Sequence, residues 1–394
     1  MSTAGHKDYD AIVLGAGSVG VPITYFLSKE GLRVLCLDPL ASAGQGQNKA
    51  AIGGVRATHS DPAKILICKE SLRIFGAWEE ETGTSIGWKK GGYCFPVYRE
   101  QEEELLQSLL PIQKRFKLSI DWLDAKGIGK TVAGINPAGL RGGTFSPEDG
   151  QISPLTAMES FANEARKLGA DFHYREGVES LILEGDSSKA IKGAKTAKGE
   201  YRAPVVVNAA GADASAVCRM AGVAIPVVPD SHEAGITSPL KQFLGPLVVD
   251  IRPGPEGRTT NFYFGQVESG QVIFCYTPKP LFPGTDRACT SEFMPIIARR
   301  MAGLIPRLKG LTIRRLWRGL YPMTPDGVAV MGKAPGVDGF YLAIGMCGQG
   351  FMMGPGVGSN MANLITKGKP ILDPDTFALL SPSRDFTKGK EKLK

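Results

Sequence analysis

Residues 9–38 read YDAIVLGAGSVGVPITYFLSKEGLRVLCLD. Tyr9 to Leu14 is a short apolar run of strand character, and it leads into Gly15-Ala16-Gly17-Ser18-Val19-Gly20. Val19, Ile23, Phe26 and Leu27 then share one face of a helix that Gly31 stops, and Arg33 to Leu37 is a second strand ending at Asp38. Each glycine of the loop has a task. Gly15 permits a tight turn, Gly17 lets backbone approach a pyrophosphate at the helix N-terminus, and Gly20 lets helix and strand pack closely. Pro22 is tolerated in the first helical turn, where its missing N–H is not needed. Asp38, 18 residues after Gly20, is placed to accept from both ribose hydroxyls of an adenosine and would repel a 2′-phosphate. The order strand, loop, helix, strand, acid predicts an α/β dinucleotide-binding unit. It argues against NADP, and by itself it does not choose between NAD and FAD.

Working outward, Gly44-Gln45-Gly46-Gln47-Asn48-Lys49-Ala50-Ala51-Ile52-Gly53-Gly54-Val55-Arg56 is a loop of small residues whose backbone can lie against a flat ligand. Asp149 to Pro154 precedes a helix, Leu155 to Leu168, with apolar positions at 158, 161, 162 and 165. Phe172 to Tyr174, Ser180 to Leu183 and Val205 to Val207 read as strands, the last running into Asn208-Ala209-Ala210-Gly211. Trp317-Arg318-Gly319-Leu320-Tyr321-Pro322-Met323-Thr324-Pro325-Asp326-Gly327 and Gly345-Met346-Cys347-Gly348-Gln349-Gly350-Phe351-Met352-Met353-Gly354-Pro355-Gly356 follow near the C-terminus.

Through these segments the chain resembles the D-amino-acid oxidase superfamily of FAD flavoproteins, most closely its branch of sarcosine oxidase, dimethylglycine dehydrogenase and proline dehydrogenase. The matches run in the family's order from Tyr9 to about Ile365. The resemblance implies a Rossmann-like, glutathione-reductase-type FAD domain, α/β and discontinuous, over 1–76, 147–222 and 317–394. It also implies an inserted substrate domain with an antiparallel sheet over 77–146 and 223–316. Within the insert, Glu100 to Leu110 reads as an amphipathic helix, with the charge run Arg99 to Glu104 as its solvated face. Asn261 to Gln266 and Gln271 to Thr277 read as a hairpin around Glu268-Ser269-Gly270.

The resemblance assigns roles residue by residue. Gly15, Ala16, Gly17, Ser18, Val19 and Gly20 would hold the pyrophosphate, Asp38 the adenosine ribose, and the Val178 backbone the adenine. Gly46, Gln47, Asn48 and Lys49, with Ala210 and Gly211, would pass close to the cofactor. Gly345, Met346, Gly348, Gln349, Gly350 and Phe351 would line the isoalloxazine. Arg56 aligns with an arginine that grips the substrate carboxylate, a task suited to guanidinium geometry, and the bland alternative is a structural arginine. Tyr321 aligns with an active-site tyrosine of the sarcosine oxidase branch and could equally be core packing. Lys49 stands where some relatives carry a flavin-linking histidine, and its expected role is a hydrogen bond or charge near the cofactor. Gly319 replaces the cysteine that links FAD in some sarcosine oxidases, so non-covalent FAD is expected. Met352 and Thr277 replace that branch's lysine and histidine. His232 and Glu233 read as a buried strand pair, with ligand contact the second reading, and Cys347 as a small filler or a thiol near the ring.

Composition supports a folded protein of two or three domains. The chain has 394 residues, 43% hydrophobic and 22% charged, and 50 are glycine with no collagen-like period. Fourteen of these, at 15, 17, 20, 44, 46, 53, 54, 211, 345, 348, 350, 354, 356 and 358, fall in the segments assigned to the cofactor envelope. Of the net charge of +7, Thr387 to Lys394 supplies four lysines and one glutamate, a tail (about 383–394) expected to be solvated and disordered. The remaining charge gives no nucleic-acid footprint. Seven scattered cysteines without a C-x-x-C pair and four histidines give no metal-ligand spacing and suggest reduced thiols in the cytoplasm. Met1 to Lys7 lacks the regions of a signal peptide, and no apolar run is long enough to span a membrane.

The function this implies is oxidation of the C–N bond of a small carboxylated secondary amine or amino acid, such as sarcosine, dimethylglycine, proline or glycine. The α-hydrogen would leave as hydride to flavin N5, and the imine would be hydrolysed. O₂ or an electron carrier would be the acceptor, and homo- or hetero-oligomers are compatible with the pattern. Two alternatives stand beside it: a flavoprotein subunit relaying electrons in a multi-chain dehydrogenase, and a 2-hydroxy-acid oxidase on the same fold. No side chain in the sequence announces itself as a general base.

Overall fold

The computed structural model describes residues 8–185, 189–389 and 391–393; the N-terminal stretch Met1 to Lys7 lies outside them. The first sheet has six strands in the order Val330–Lys333, Phe340–Ile344, Val205–Asn208, Ala11–Leu14, Val34–Asp38, Asp171–Tyr174. All neighbours are parallel except the first two, which form an antiparallel pair. Its central strands are apolar up to their last residues, Asp38 and Asn208, because both faces are covered. Ala11, Val13, Val34, Cys36 and Val207 pack under the helices Gly20–Lys29, Pro62–Thr82, Pro154–Lys167 and Gly350–Lys367. Ile12, Leu14, Leu35, Leu37 and Val206 face the opposite layer, where Val178–Glu184, Lys189–Thr196 and Gly199–Arg202 form an antiparallel meander.

Helix starts follow local chemistry. Asp61 and Ser153 each cap the helix after them by accepting a backbone N–H, from Lys64 and Thr156, and a proline occupies the first turn of each helix. Met158, Phe161, Ala162 and Ala165, the expected apolar face of the second of these helices, are all buried.

The second sheet has eight strands in the order Ile313–Met323, Val228–Thr237, Val272–Pro278, Thr259–Gln266, Leu247–Asp250, Tyr93–Val97, Gly142–Ser146, Asp121–Asp124. One pair, Leu247–Asp250 with Tyr93–Val97, is parallel and the others are antiparallel. Alternation sorts its faces. Phe262, Phe264 and Phe274 pack under the helix Phe293–Leu304, while Tyr263, Cys275 and Tyr321 face the first sheet across a cleft. The hairpin around Glu268-Ser269-Gly270 is present. The edge strand Ile313–Met323 runs through the expected boundary at 316/317, so Trp317 to Met323 belong to this sheet.

Three expectations are corrected. The charge run is not wholly solvated: Glu102 is buried and paired with Arg99, while Leu106 and Leu109 anchor the helix Glu100–Arg115. The tail is not free either: Glu391 and Leu393 are buried, and their backbone and side chains bond to residues 56–64. Finally, Gly354, Gly356 and Gly358 do not serve a cofactor. A Cβ at Gly354 would overlap Ser18 O and one at Gly356 would overlap Ile67 O, and at Gly358 it would lie 2.8 Å from Pro22 C. These glycines let Gly350–Lys367 cross two other helices at backbone contact. Among the described residues no helix is long and apolar enough to cross a membrane.

Gly354→Ala is therefore expected to lower the unfolding free energy by about 2–3 kcal/mol in a urea titration. Gly303→Ala, in an exposed helical position with open space around it, is expected to raise it by up to about 1 kcal/mol. Equal effects would contradict the packing role.

Candidate active site

At the end of the first sheet, Gly15 (φ +106°) has Ala209 O only 2.6 Å from where a Cβ would be, and a Cβ at Gly20 would overlap Gly15 O. These two glycines make the turn. Gly17 is different: a Cβ there would meet nothing within 4 Å, so its side of the loop is open. The helix behind it starts without a side-chain cap or an acid in its first turn, which leaves its positive end for an anion. Asp38 is buried, accepting Ala16 N at 2.7 Å on Oδ2 and Leu40 N at 2.8 Å on Oδ1. Each carboxylate oxygen keeps capacity for a further donor. Gly46, Val178 and Ala210 are half-buried around this end, and Gly211 (φ +57°) borders open space.

Between the two sheets lies an open cleft to which both contribute lining residues. Ser18, Val19, Gln47, Asn48, Arg56, Gly211, Tyr321, Met346, Gly348, Gln349, Gly350 and Phe351 all line it, as do Gly319, Met352 and Thr277. Gly15, Ala16, Gly17, Gly20, Asp38, Gly46, Val178, Ala210 and Gly345 lie outside its lining. Lys49 is not among the lining residues. It sits in the 3₁₀ turn Gln47–Ala50, where Gln47, Asn48 and Ala50 line the cleft and Lys49 is exposed. The same turn is tied to the second sheet by Gln47 Oε1, which accepts Leu320 N at 2.7 Å, and by Trp317 Nε1, which donates to Ala50 O at 2.9 Å.

The cleft's floor is the 345–351 loop. Gly345 (φ +64°), Cys347 (φ +51°) and Gly348 (φ +81°) are all left-handed, and a Cβ at Gly348 would overlap the Tyr321 ring. Cys347 is held in this uncommon conformation by its N–H on Pro322 O (3.0 Å) and its Sγ near Gly345 O (3.1 Å) and Thr324 Oγ1 (3.2 Å).

On the opposite wall the structure assembles a polar group that the sequence reading left scattered. Tyr321 OH and Tyr263 OH are 2.8 Å apart, and the His232 ring lies 3.9 Å from that of Tyr321 at 30°. His232 Nε2 is 2.9 Å from Asp230 Oδ2. Burial holds both phenols well above the usual tyrosine range, so they stay neutral, and it pushes the neighbouring Cys275 thiol up to about 12. For Asp230, burial raises the carboxyl, but the hydrogen bond and charge of His232 outweigh it and the net shift is downward. His232 and Glu233 part company here. Alternation along the strand turns 230, 232 and 234 to the cleft, while Glu233 accepts from Thr290 (2.6 and 2.7 Å) and pairs with buried Arg318 at 3.3 Å.

Arg56 is 5% exposed. Its Nη1 donates to Thr58 O and its Nη2 to Leu393 O at 3.0 Å, and its guanidinium lies 5.5 Å over Phe95. Behind it, Asp149 accepts Ala57 N (3.0 Å), Thr58 Oγ1 (3.4 Å) and Ser146 Oγ. Burial raises the Asp149 carboxyl to about 6, with those donors and the Arg56 charge pulling it back. Burial and the charges of Arg56 and Lys64 keep His59 neutral.

Residues 10–364 match the family described as DAO, FAD dependent oxidoreductase. The chain belongs to that family. Human mitochondrial sarcosine dehydrogenase is 25% identical over 375 residues, covering 92% of this chain and 40% of that protein. The chain thus spans about two fifths of the length of that relative. Glycine oxidase of Bacillus licheniformis is 25% identical over 375 residues, covering 93% and 95%. Among solved structures, L-proline dehydrogenase from P. horikoshii superposes with a TM-score of 0.89 at 30% identity, covering 96% and 98%.

The residues present fit the family's FAD. The open side of Gly17 and the uncapped helix suit its pyrophosphate, and Asp38 suits its ribose. Two buried side-chain oxygens of cleft-lining residues, Asn48 Oδ1 and Gln349 Oε1, accept no hydrogen bond among the described residues, as a ligand that donates there would require.

The buried tail gives a prediction with a sign. Burial pushes the Glu391 carboxyl up, but the Lys64 charge and the hydrogen bonds of Ser60 and Leu393 N pull it below the ordinary glutamate value. Its stabilisation is therefore fully present above the unfolded pKa of about 4.3 and is lost as pH falls through the folded value. Glu391→Gln is expected to cost about 3 kcal/mol of unfolding free energy at neutral pH. The gap to the parent protein should narrow as pH falls below about 4.3 and close below the folded value; a gap independent of pH would contradict the assignment.

Proposed function

We propose that this protein oxidises the C–N bond of a small amine or amino acid bearing a carboxylate, of the sarcosine, dimethylglycine, proline or glycine kind, using non-covalently bound FAD. The observation that carries the reading is a buried guanidinium, Arg56, in the same cleft as the Tyr321–Tyr263 and His232–Asp230 groups. Similarity to proteins named sarcosine dehydrogenase, glycine oxidase and L-proline dehydrogenase supports the substrate class. Non-covalent binding is supported by Gly319, whose Cβ would be 2.8 Å from Ala50 Cβ and which offers no sulfur.

Carbonyls of the chain use two of the five guanidinium N–H groups of Arg56, leaving three for a carboxylate. A substrate held there projects its amine toward the tyrosine pair. One of the two phenolic protons is spent between the hydroxyls, and the other can go to the Cys275 thiol, which is within reach of both, or to the substrate. With Asp230 ionised, the shared proton stays on His232 Nε2, which fixes the ring's tautomer. Bound FAD supplies the two-electron oxidation. The C–N bond becomes C=N, and water then adds and releases a carbonyl and an amine. Apolar Phe351, Met346 and Met352 keep bulk water from the reacting carbon.

The His232–Asp230 pair supplies the base that the sequence did not announce, and it gives a second reading, oxidation of 2-hydroxy acids, its footing. O₂ or an electron carrier serves as acceptor. Among the described residues, seven free cysteines suit a reducing, cytoplasmic compartment.

Steady-state kinetics on an amine, amino-acid and 2-hydroxy-acid panel test this. Activity confined to the amines is expected. Arg56→Ala should raise KM for a carboxylated substrate about tenfold to hundredfold, the worth of a charged hydrogen-bond pair. Unchanged KM, or activity confined to hydroxy acids, would overturn the reading.

A further inference from the structure

The segment 391–393 approaches Arg56 from outside the cleft, and its contacts are those of a built site. Lys64 lies in the first turn of the helix Pro62–Thr82 with its side chain wholly buried, and its ammonium faces Glu391 Oε2 at 3.8 Å. A cation is doubly misplaced there. It is removed from water, and it sits at the positive end of a helix. The Glu391 carboxylate answers both problems, for it is equally buried and accepts Ser60 N at 3.1 Å, Ser60 Oγ at 2.6 Å and Asp61 N at 3.3 Å, at that same helix start. Leu393 N closes back on Glu391 Oε1 at 2.8 Å, and Lys392 N donates to Ser60 Oγ at 2.8 Å.

The turn so formed carries Leu393 to a fixed place. Its side chain is buried in the cluster that contains Tyr93, Phe95 and Val249, and Tyr93 and Val249 also line the cleft. Its carbonyl accepts Arg56 Nη2. Arginine has long, rotatable carbons, so a buried guanidinium held by one local carbonyl, Thr58 O, would keep a choice of directions. The second carbonyl, 337 positions away in sequence, removes it.

We propose that residues 391–393 are a positioning segment of the substrate site: Leu393 O orients the Arg56 guanidinium toward the cleft, and Glu391, as counter-ion of Lys64, latches the segment in place. This rests on the reading of Arg56 as the carboxylate clamp, and it adds residues that touch neither substrate nor cofactor. The segment acts on carboxylate affinity and leaves the dinucleotide end alone, since Gly17 and Asp38 make none of these contacts.

The test uses the FAD-loaded full chain, a variant lacking residues 389–394, Glu391→Gln, and the double variant Lys64→Met with Glu391→Leu, which replaces both charges by side chains of similar volume. Two quantities are read: KM against kcat for the best amine of the panel, and the dissociation constant of acetate, an unreactive carboxylate, from the shift of the visible flavin band. Truncation and Glu391→Gln are expected to raise KM and weaken acetate about tenfold with kcat and FAD affinity within twofold. The double variant, which can dock the segment through apolar packing, should restore both values to within twofold. If truncation does not fold, the contrast between the single and double variants decides. A dissociation constant for acetate and a KM unchanged in Glu391→Gln, while Arg56→Ala raises both, would overturn the positioning role and leave the clamp standing. If Arg56→Ala changes neither, the clamp reading fails and the proposal falls with it.

Discussion

The seating of Gly348 against the ring of Tyr321 sets how the two sheets meet. Gly348 is left-handed and has no room for a Cβ on that ring, and the preceding N–H is bonded to Pro322 O, the residue after the tyrosine. Tyr321 therefore touches the floor loop on one side and Tyr263 and His232 on the other. Its strand pairs with Val228–Thr237 along nearly its whole length, so the position of one ring is transmitted to the strand that carries Asp230 and His232. The width of the cleft and the spacing of its polar groups follow from this contact. A larger residue at 348, or a shifted tyrosine, would part the dinucleotide unit from the wall that faces it.

Around Arg56, the structure resolves a burial problem by pairing. Arg56, Lys64, Asp149 and Glu391 are all removed from water, where unpaired ions are costly. Lys64 has Glu391, Asp149 has three donors, and Arg56 has two carbonyls and a ring face. On the reverse of the second sheet, Glu233 and Arg318 do the same while pinning Thr290. Asp230 also reaches outward, accepting Phe282 N at 2.7 Å on the oxygen that His232 does not use. Chain that crosses the mouth of the cleft is thereby fixed to the pair inside it.

How much of this was legible depended on how local the physics is. The strand, glycine loop, helix and acid of residues 9–38 follow one another within thirty residues, and the turn they imply at Gly15 and Gly20 is present, although the atom that excludes a Cβ at Gly15 belongs to Ala209. The glycines of 354–358 look identical in sequence but are set by contacts with Ser18, Ile67 and Pro22 far away, so their assignment to a cofactor was misplaced. The 3₁₀ turn at Gln47–Ala50 depends on ties to Leu320 and Trp317, which lie about 270 positions away. Asp230 and His232 stand in a run of four polar residues, 230–233, whose local pattern does not separate them from their neighbours, and Tyr263 and Tyr321 join them only through sheet register. The tail's lysines hid a single glutamate whose partner is 327 positions earlier, which no local pattern could announce.

The proposed reaction requires a flavin bound between the sheets and reduced by a carboxylated amine held at Arg56. Anaerobic addition of sarcosine, dimethylglycine, proline or glycine to the purified protein, followed in the visible spectrum, tests this most directly. A yellow protein whose band bleaches with at least one of these, and not with the matching amine lacking a carboxylate, is the result the structure predicts. A protein that takes up no FAD, or one bleached equally by amines without a carboxylate, would contradict it.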